Sequence, residues 1–123
     1  MLVKLQVLVL VGCEKISNGG LKAVAELKLL RHLNLDFCLE VTDVGLVDLT
    51  KLKNLQHLGL NRCSLTNNCL QTLVQFNDLR NVAVCAYEPR FSPKALLHHL
   101  ESHLASVTFG SIYELDGSPF EPD

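Results

Sequence analysis

Leu30–Asn54 reads LRHLNLDFCLEVTDVGLVDLTKLKN. Its first part alternates, with Leu33 and Leu35 on one side of Asn34, which is the period of a strand. After Thr42, leucines recur every three residues at Leu46, Leu49 and Leu52, which is the spacing of one helix face. A single strand and a single helix each leave an apolar surface that they cannot bury alone, so such a unit needs copies of itself on either side.

The sequence supplies them. Cys13, Cys38 and Cys63 are 25 residues apart, twice. Leu5, Leu8 and Leu10 precede the first cysteine at the same distances as Leu30, Leu33 and Leu35 precede the second and Leu55, Leu58 and Leu60 the third. A fourth copy is weaker, with Leu79, Val82 and Val84, and Tyr87 in the cysteine place. A fifth start falls at Leu104, Val107 and Phe109, with Ile112 in that place. Residues 1–113 are therefore expected to form one domain and 114–123, with Gly117, Pro119 and Pro122, a tail or cap. The second half of each unit repeats as well. Ser17, Thr42, Thr66 and Ser92 stand where a helix begins, and a hydroxyl there accepts a hydrogen bond from an unpaired backbone N–H. Pro93 suits the first helical position. The stripes that follow are Leu21, Val24, Leu27; Leu46, Leu49, Leu52; and Leu70, Leu73, Phe76, with Leu96, Leu97 and Leu100 in a fourth helix. Gly20 and Gly45 precede the first stripe residue, where crowding is expected, and small Cys69 and Ala95 fill that place later. The expected architecture is α/β: about five parallel strands joined by about four helices, stacked so that each unit touches only its neighbours.

Composition narrows the function. The 123 residues suffice for one domain, and the net charge of −2 gives no electrostatic footprint for nucleic acid and no basic run for a membrane surface. Five cysteines with no C-x-x-C pair offer neither a disulfide framework nor a zinc ribbon, and suit a reducing compartment, cytoplasmic or nuclear. The run Met1–Cys13 has the look of a short signal peptide, but Gln6 interrupts it and its leucines already have places in the repeat. No phosphate-binding glycine motif is present and no nucleophile, base and orienter converge, so no catalysis and no cofactor are expected.

The pattern L-x-x-L-x-L-x-x-C, followed by a hydrophobe, Thr or Ser, Asp or Asn, x-G-L, resembles the cysteine-containing class of leucine-rich repeats over about residues 5–113. That class is best known from substrate receptors of F-box ubiquitin ligases and from related proteins without an F-box; no F-box-like segment lies in this chain. The resemblance implies a curved solenoid with strands on the concave face and helices outside, and recognition of another protein.

Where leucines point inward, the residues between them point out of the strand face. They form three columns: Val7, His32, His57, Asn81, Ser106; Val9, Asn34, Gly59, Ala83, Thr108; and Val11, Asp36, Asn61, Cys85, Gly110. Phe37 and Arg62 lie at the strand exits. The candidate protein-binding residues are His32, Asn34, Asp36, Phe37, His57, Asn61, Arg62 and Asn81, with Val7, Val9 and Val11 at the N-terminal edge. His32 and His57 are expected side by side, within about 5 Å, as a solvated ladder; two histidines without a third ligand make no zinc site. His98, His99 and His103 read as a polar helix face. Cys13, Cys38 and Cys63 read as small buried residues at the strand ends, and Cys85 as an exposed thiol without a basic neighbour.

The concave strip of such a sheet would be about 300 Å², whereas a standard interface buries about 800 Å² per partner. A partner must therefore also grip loops and edges, or the array must be longer. The apolar first unit invites a cover at its open edge: more chain, a second copy, or another subunit. The expected function is a protein–protein interaction module; the alternatives are the C-terminal part of a ubiquitin-ligase substrate receptor and a structural subunit of a larger assembly.

Overall fold

The computed structural model describes residues 4–66, 68–76, 78–85 and 108–109. Within them the chain is an α/β structure with the element order β1 (Val7–Val9), α1 (Asn18–Val24), β2 (His32–Asn34), α2 (Asp43–Leu49), β3 (His57–Asn61), α3 (Cys69–Leu73), β4 (Asn81–Cys85) and β5 (Thr108–Phe109). All pairings are parallel and the strands lie in sequence order, β1-β2-β3-β4-β5. The register follows the cysteine spacing: Val7 pairs with His32, His32 with His57, and Leu8 with Leu33. One residue is lost in the next step, where His57 pairs with Asn81, and the larger spacing returns with Ala83 opposite Thr108. Backbone bonds carry the ladder past the strand ends, from Leu35 N to Gly59 O (2.8 Å) and from Phe37 N to Asn61 O (2.7 Å).

The leucines that set this register make the core. Leu30, Leu33, Leu35, Leu55, Leu58 and Leu60 are buried from the strand side, Leu21, Leu46, Leu49 and Leu73 from the helix side, and together with Cys38 and Cys63 they form one cluster. α1 packs against α2 and α2 against α3. Among the described residues the first unit has a neighbour on one side, and its Leu8, Leu10 and Cys13 are only partly buried. Leu5 is exposed.

Three helices lie among the described residues, fewer than the four expected; the fourth, with Ser92, Pro93 and the histidines His98, His99 and His103, falls outside them, as do the 114–123 tail, Ser106, Gly110 and the side chain of Cys85. The helices are also shorter than their apolar stripes. α1 ends at Val24 and α2 at Leu49, before Leu27 and Leu52. Beyond those points the bonds tighten to the i→i−3 kind, Leu27 N to Val24 O and Leu52 N to Leu49 O, so the third stripe residue meets the core from a turn and not from a helix, Leu52 fully buried and Leu27 partly. No helix among the described residues is long and apolar enough to cross a membrane.

The helix starts show what the Asp-or-Asn position of each unit does. Thr42 Oγ1 accepts from Val44 N (3.3 Å), and Thr66 Oγ1 accepts from Asn68 N (3.2 Å). Each hydroxyl is oriented by the unit before it. Asn18 Nδ2 donates to Thr42 Oγ1 (2.8 Å) while Asn18 Oδ1 accepts from Thr42 N (3.1 Å). Asp43 accepts from both the N–H and the hydroxyl of Thr66. Ser17 occupies the cap position of α1 without a side-chain cap bond, contrary to expectation. Its hydroxyl has no preceding unit among the described residues to orient it.

Candidate protein-interaction surface

The sheet face turned away from the helices carries the predicted residues. His32 and His57 stand in register on adjacent strands, with ring centroids 5.6 Å apart and planes tilted by 41°. Asn81 Nδ2 donates to His57 Nδ1 at 2.7 Å.

The next columns are tied to one another. Asn34 Oδ1 accepts from Asp36 N (2.8 Å). Asp36 Oδ1 accepts from Asn61 N (2.9 Å) and Asp36 Oδ2 from Asn61 Nδ2 (3.3 Å). These polar groups are thus partly engaged with each other and not wholly free to meet a partner. Asn61 Oδ1 is buried without a hydrogen-bond partner; turning the amide over would set that oxygen against the Asp36 carboxylate and lose the bond from Nδ2. No cation is paired with Asp36 among the described residues.

Five of the predicted residues, His32, Asn34, Asp36, His57 and Asn81, line one shallow, open depression of about 190 Å³. It is also lined by Gly59 and Ala83, residues of the middle column that are not among the predicted binding residues. The signal was there: small residues between larger ones on a strand face leave a hollow. A Cβ on Gly59 would meet Asn34 Oδ1 and Asp36 Oδ1 at 2.9 Å each, so a larger residue there would displace these hydrogen-bonded oxygens.

The other predicted residues lie outside the depression. Val7, Val9 and Val11 form an exposed apolar column on the edge strand. Phe37 and Arg62 occupy equivalent strand exits, and both have φ of 63°. Gly12, the corresponding residue of the first unit, has φ of 69°. Phe37 is 52% exposed.

Cys38, Cys63 and Cys69 are architectural. Cys38 Sγ donates to Leu10 O (2.9 Å) and Cys63 Sγ to Leu35 O (3.1 Å), so each thiol binds a carbonyl of the preceding unit. Burial pushes the Cys38 thiol up from its ordinary value, with the neighbouring Cys13 and the Asp36 charge adding to the effect. Burial takes Cys63 and Cys69 to about 12, helped by the charge of Cys38 at the first and of Asp43 at the second. Thiols held in the protonated form are poor nucleophiles.

Compared with known proteins, the chain matches no family model and no curated protein. The surface must therefore be judged on its own residues.

Proposed function

We propose that the chain is a short leucine-rich repeat solenoid of the cysteine-containing class, and that it recognises another protein through the outer sheet face and the adjoining strand exits of its second and third units. The observation that supports this most is the pair Phe37 and Arg62. A non-glycine residue in the left-handed region costs about 1–2 kcal/mol. The first unit meets the same backbone requirement with glycine. Phe37 adds a second cost, because half its surface stays in water and its ring contributes little to the core. The exposed Phe37 ring does little for the core, and strain kept at an exposed aromatic, with an arginine in the equivalent place of the next unit, fits a recognition site. The exits also extend the small strip of sheet towards the area that a specific complex needs.

The exposed valines of β1 favour a second reading, in which the edge strand is the main contact and the chain is a subunit held in an assembly. Affinity capture from the native cell separates the two. Phe37→Gly is expected to lose the captured partner while Val9→Thr retains it. The opposite result assigns the contact to the edge.

A further inference from the structure

The depression between the histidines and Asp36 is built for one kind of side chain. Two acceptor oxygens, Asn34 Oδ1 and Asp36 Oδ1, converge above Gly59, each close enough to touch a Cβ placed there. Each already accepts one backbone N–H, from Asp36 and Asn61 respectively, and each keeps a second lone pair. Asp36 Oδ2 accepts only from the Asn61 amide. The remaining lining groups, His32, His57, Leu58, Gly59, Asn81 and Ala83, include no residue that is permanently charged. Arg62 does not line the depression and is engaged elsewhere. A negative charge thus sits at one end of an open hollow, with no cation among the described residues beside it.

The geometry points to a basic side chain of the partner protein, arginine or lysine, as the occupant. Its cationic head would lie over Gly59 against Asp36 and the Asn34 oxygen, a pair of acceptors that calls for a group with several N–H donors and no acceptor. Its aliphatic stem would run towards Ala83 and the two imidazole rings, which are flat surfaces on which a guanidinium also stacks. A divalent metal is a poorer match, since one carboxylate and one amide oxygen supply too few ligands. This inference rests on the outer face being a protein-binding surface, and it names the chemistry that the face selects.

The Asn61 backbone N–H, bonded to Asp36 Oδ1, is a built-in reporter. Nα-acetyl-arginine methylamide, titrated into the ¹⁵N-labelled chain, is expected to move the Asp36, Gly59 and Asn61 amide resonances saturably, and less at high salt. The citrulline counterpart, equal in shape but neutral, is expected to bind at least about tenfold more weakly. Asp36→Asn keeps an acceptor for the Asn61 N–H, and the Asn61 amide can rotate to accept from the new Nδ2, so the variant should fold; its response to the arginine compound is expected to vanish. Equal shifts with citrulline, or no saturable shift in the wild-type chain, overturn the proposal whatever the variant does. If cellular capture depends on Phe37 but is indifferent to Asp36→Asn, the basic-side-chain inference fails while the binding face stands. If capture depends on neither, both fail.

Discussion

Gly12, Phe37 and Arg62 share one backbone conformation, and of the three only glycine adopts it without strain. Replacing Phe37 by glycine removes about 1–2 kcal/mol of strain and returns about 0.5–1 kcal/mol to the unfolded chain's entropy. Phe37→Gly should therefore leave stability unchanged or raise it by up to about 1.5 kcal/mol in urea unfolding, although it removes an aromatic residue. Gly12→Ala should lose about 1 kcal/mol, since a Cβ there meets no atom within 4 Å and backbone strain is the whole cost. The buried thiols give a second residue-scale test. Cys63 and Cys69 stay protonated in the folded chain up to about pH 12, whereas in the unfolded chain they ionise near 9. Their contribution is complete below pH 9 and is lost as pH rises towards 12, with a slope of about 1.4 kcal/mol per pH unit for each thiol. Urea midpoints measured across that window should fall accordingly, and less in Cys63→Ala. Among the four described thiols, iodoacetamide should reach the half-buried Cys13 before Cys38, Cys63 or Cys69. The cysteine column was legible in the sequence because its spacing is regular. The positive φ at Phe37 was not, since nothing in the residue's chemistry announces a conformation that it disfavours; only comparison with Gly12 hints at it.

At the scale of the element, strand register was readable and helix length was not. Alternating leucines specify which face is buried, and a slip of one residue would turn every one of them outward, so the spacing fixes the pairing. Helix ends depend on where the chain must turn back to the sheet, and from a turn Leu52 is still fully buried and Leu27 still packs against the core. The cross-unit bonds from Asn18 to Thr42 and from Asp43 to Thr66 were visible as a recurring Asp-or-Asn, but their role needs the distance between units. They also explain the glycines. A Cβ on Gly45 would overlap Asn18 Oδ1 and come within 2.7 Å of Leu21 Cδ1. Leu21 is fully buried and Asn18 is held by two bonds to Thr42, so neither side chain can move aside cheaply. Gly45→Ala is expected to cost about 1–3 kcal/mol. Gly20 has only Ile16 Cδ1 nearby, at 3.6 Å, so Gly20→Ala should stabilise α1 by about 0.5–1 kcal/mol. Thermal unfolding of the two variants should show shifts of opposite sign, although both glycines hold the same place in their units.

At the scale of the molecule, the outer face divides into three parts: the valine column of β1, the polar hollow over Gly59, and the strand exits at Phe37 and Arg62. The columns were predictable because parallel register carries side chains of like position together. The hollow needed the structure, since it depends on side chains bonding to each other around a missing one. Site-directed photo-cross-linking in the native cell tests most directly whether this face is the recognition surface. A benzophenone amino acid is placed at Phe37, where an aromatic already stands, and in a second version at Val44, which is the more exposed of the two and lies on α2, away from the face. A discrete cross-linked partner from position 37 and none from position 44 is the predicted result. Cross-linking from position 44 with none from position 37 would contradict the account.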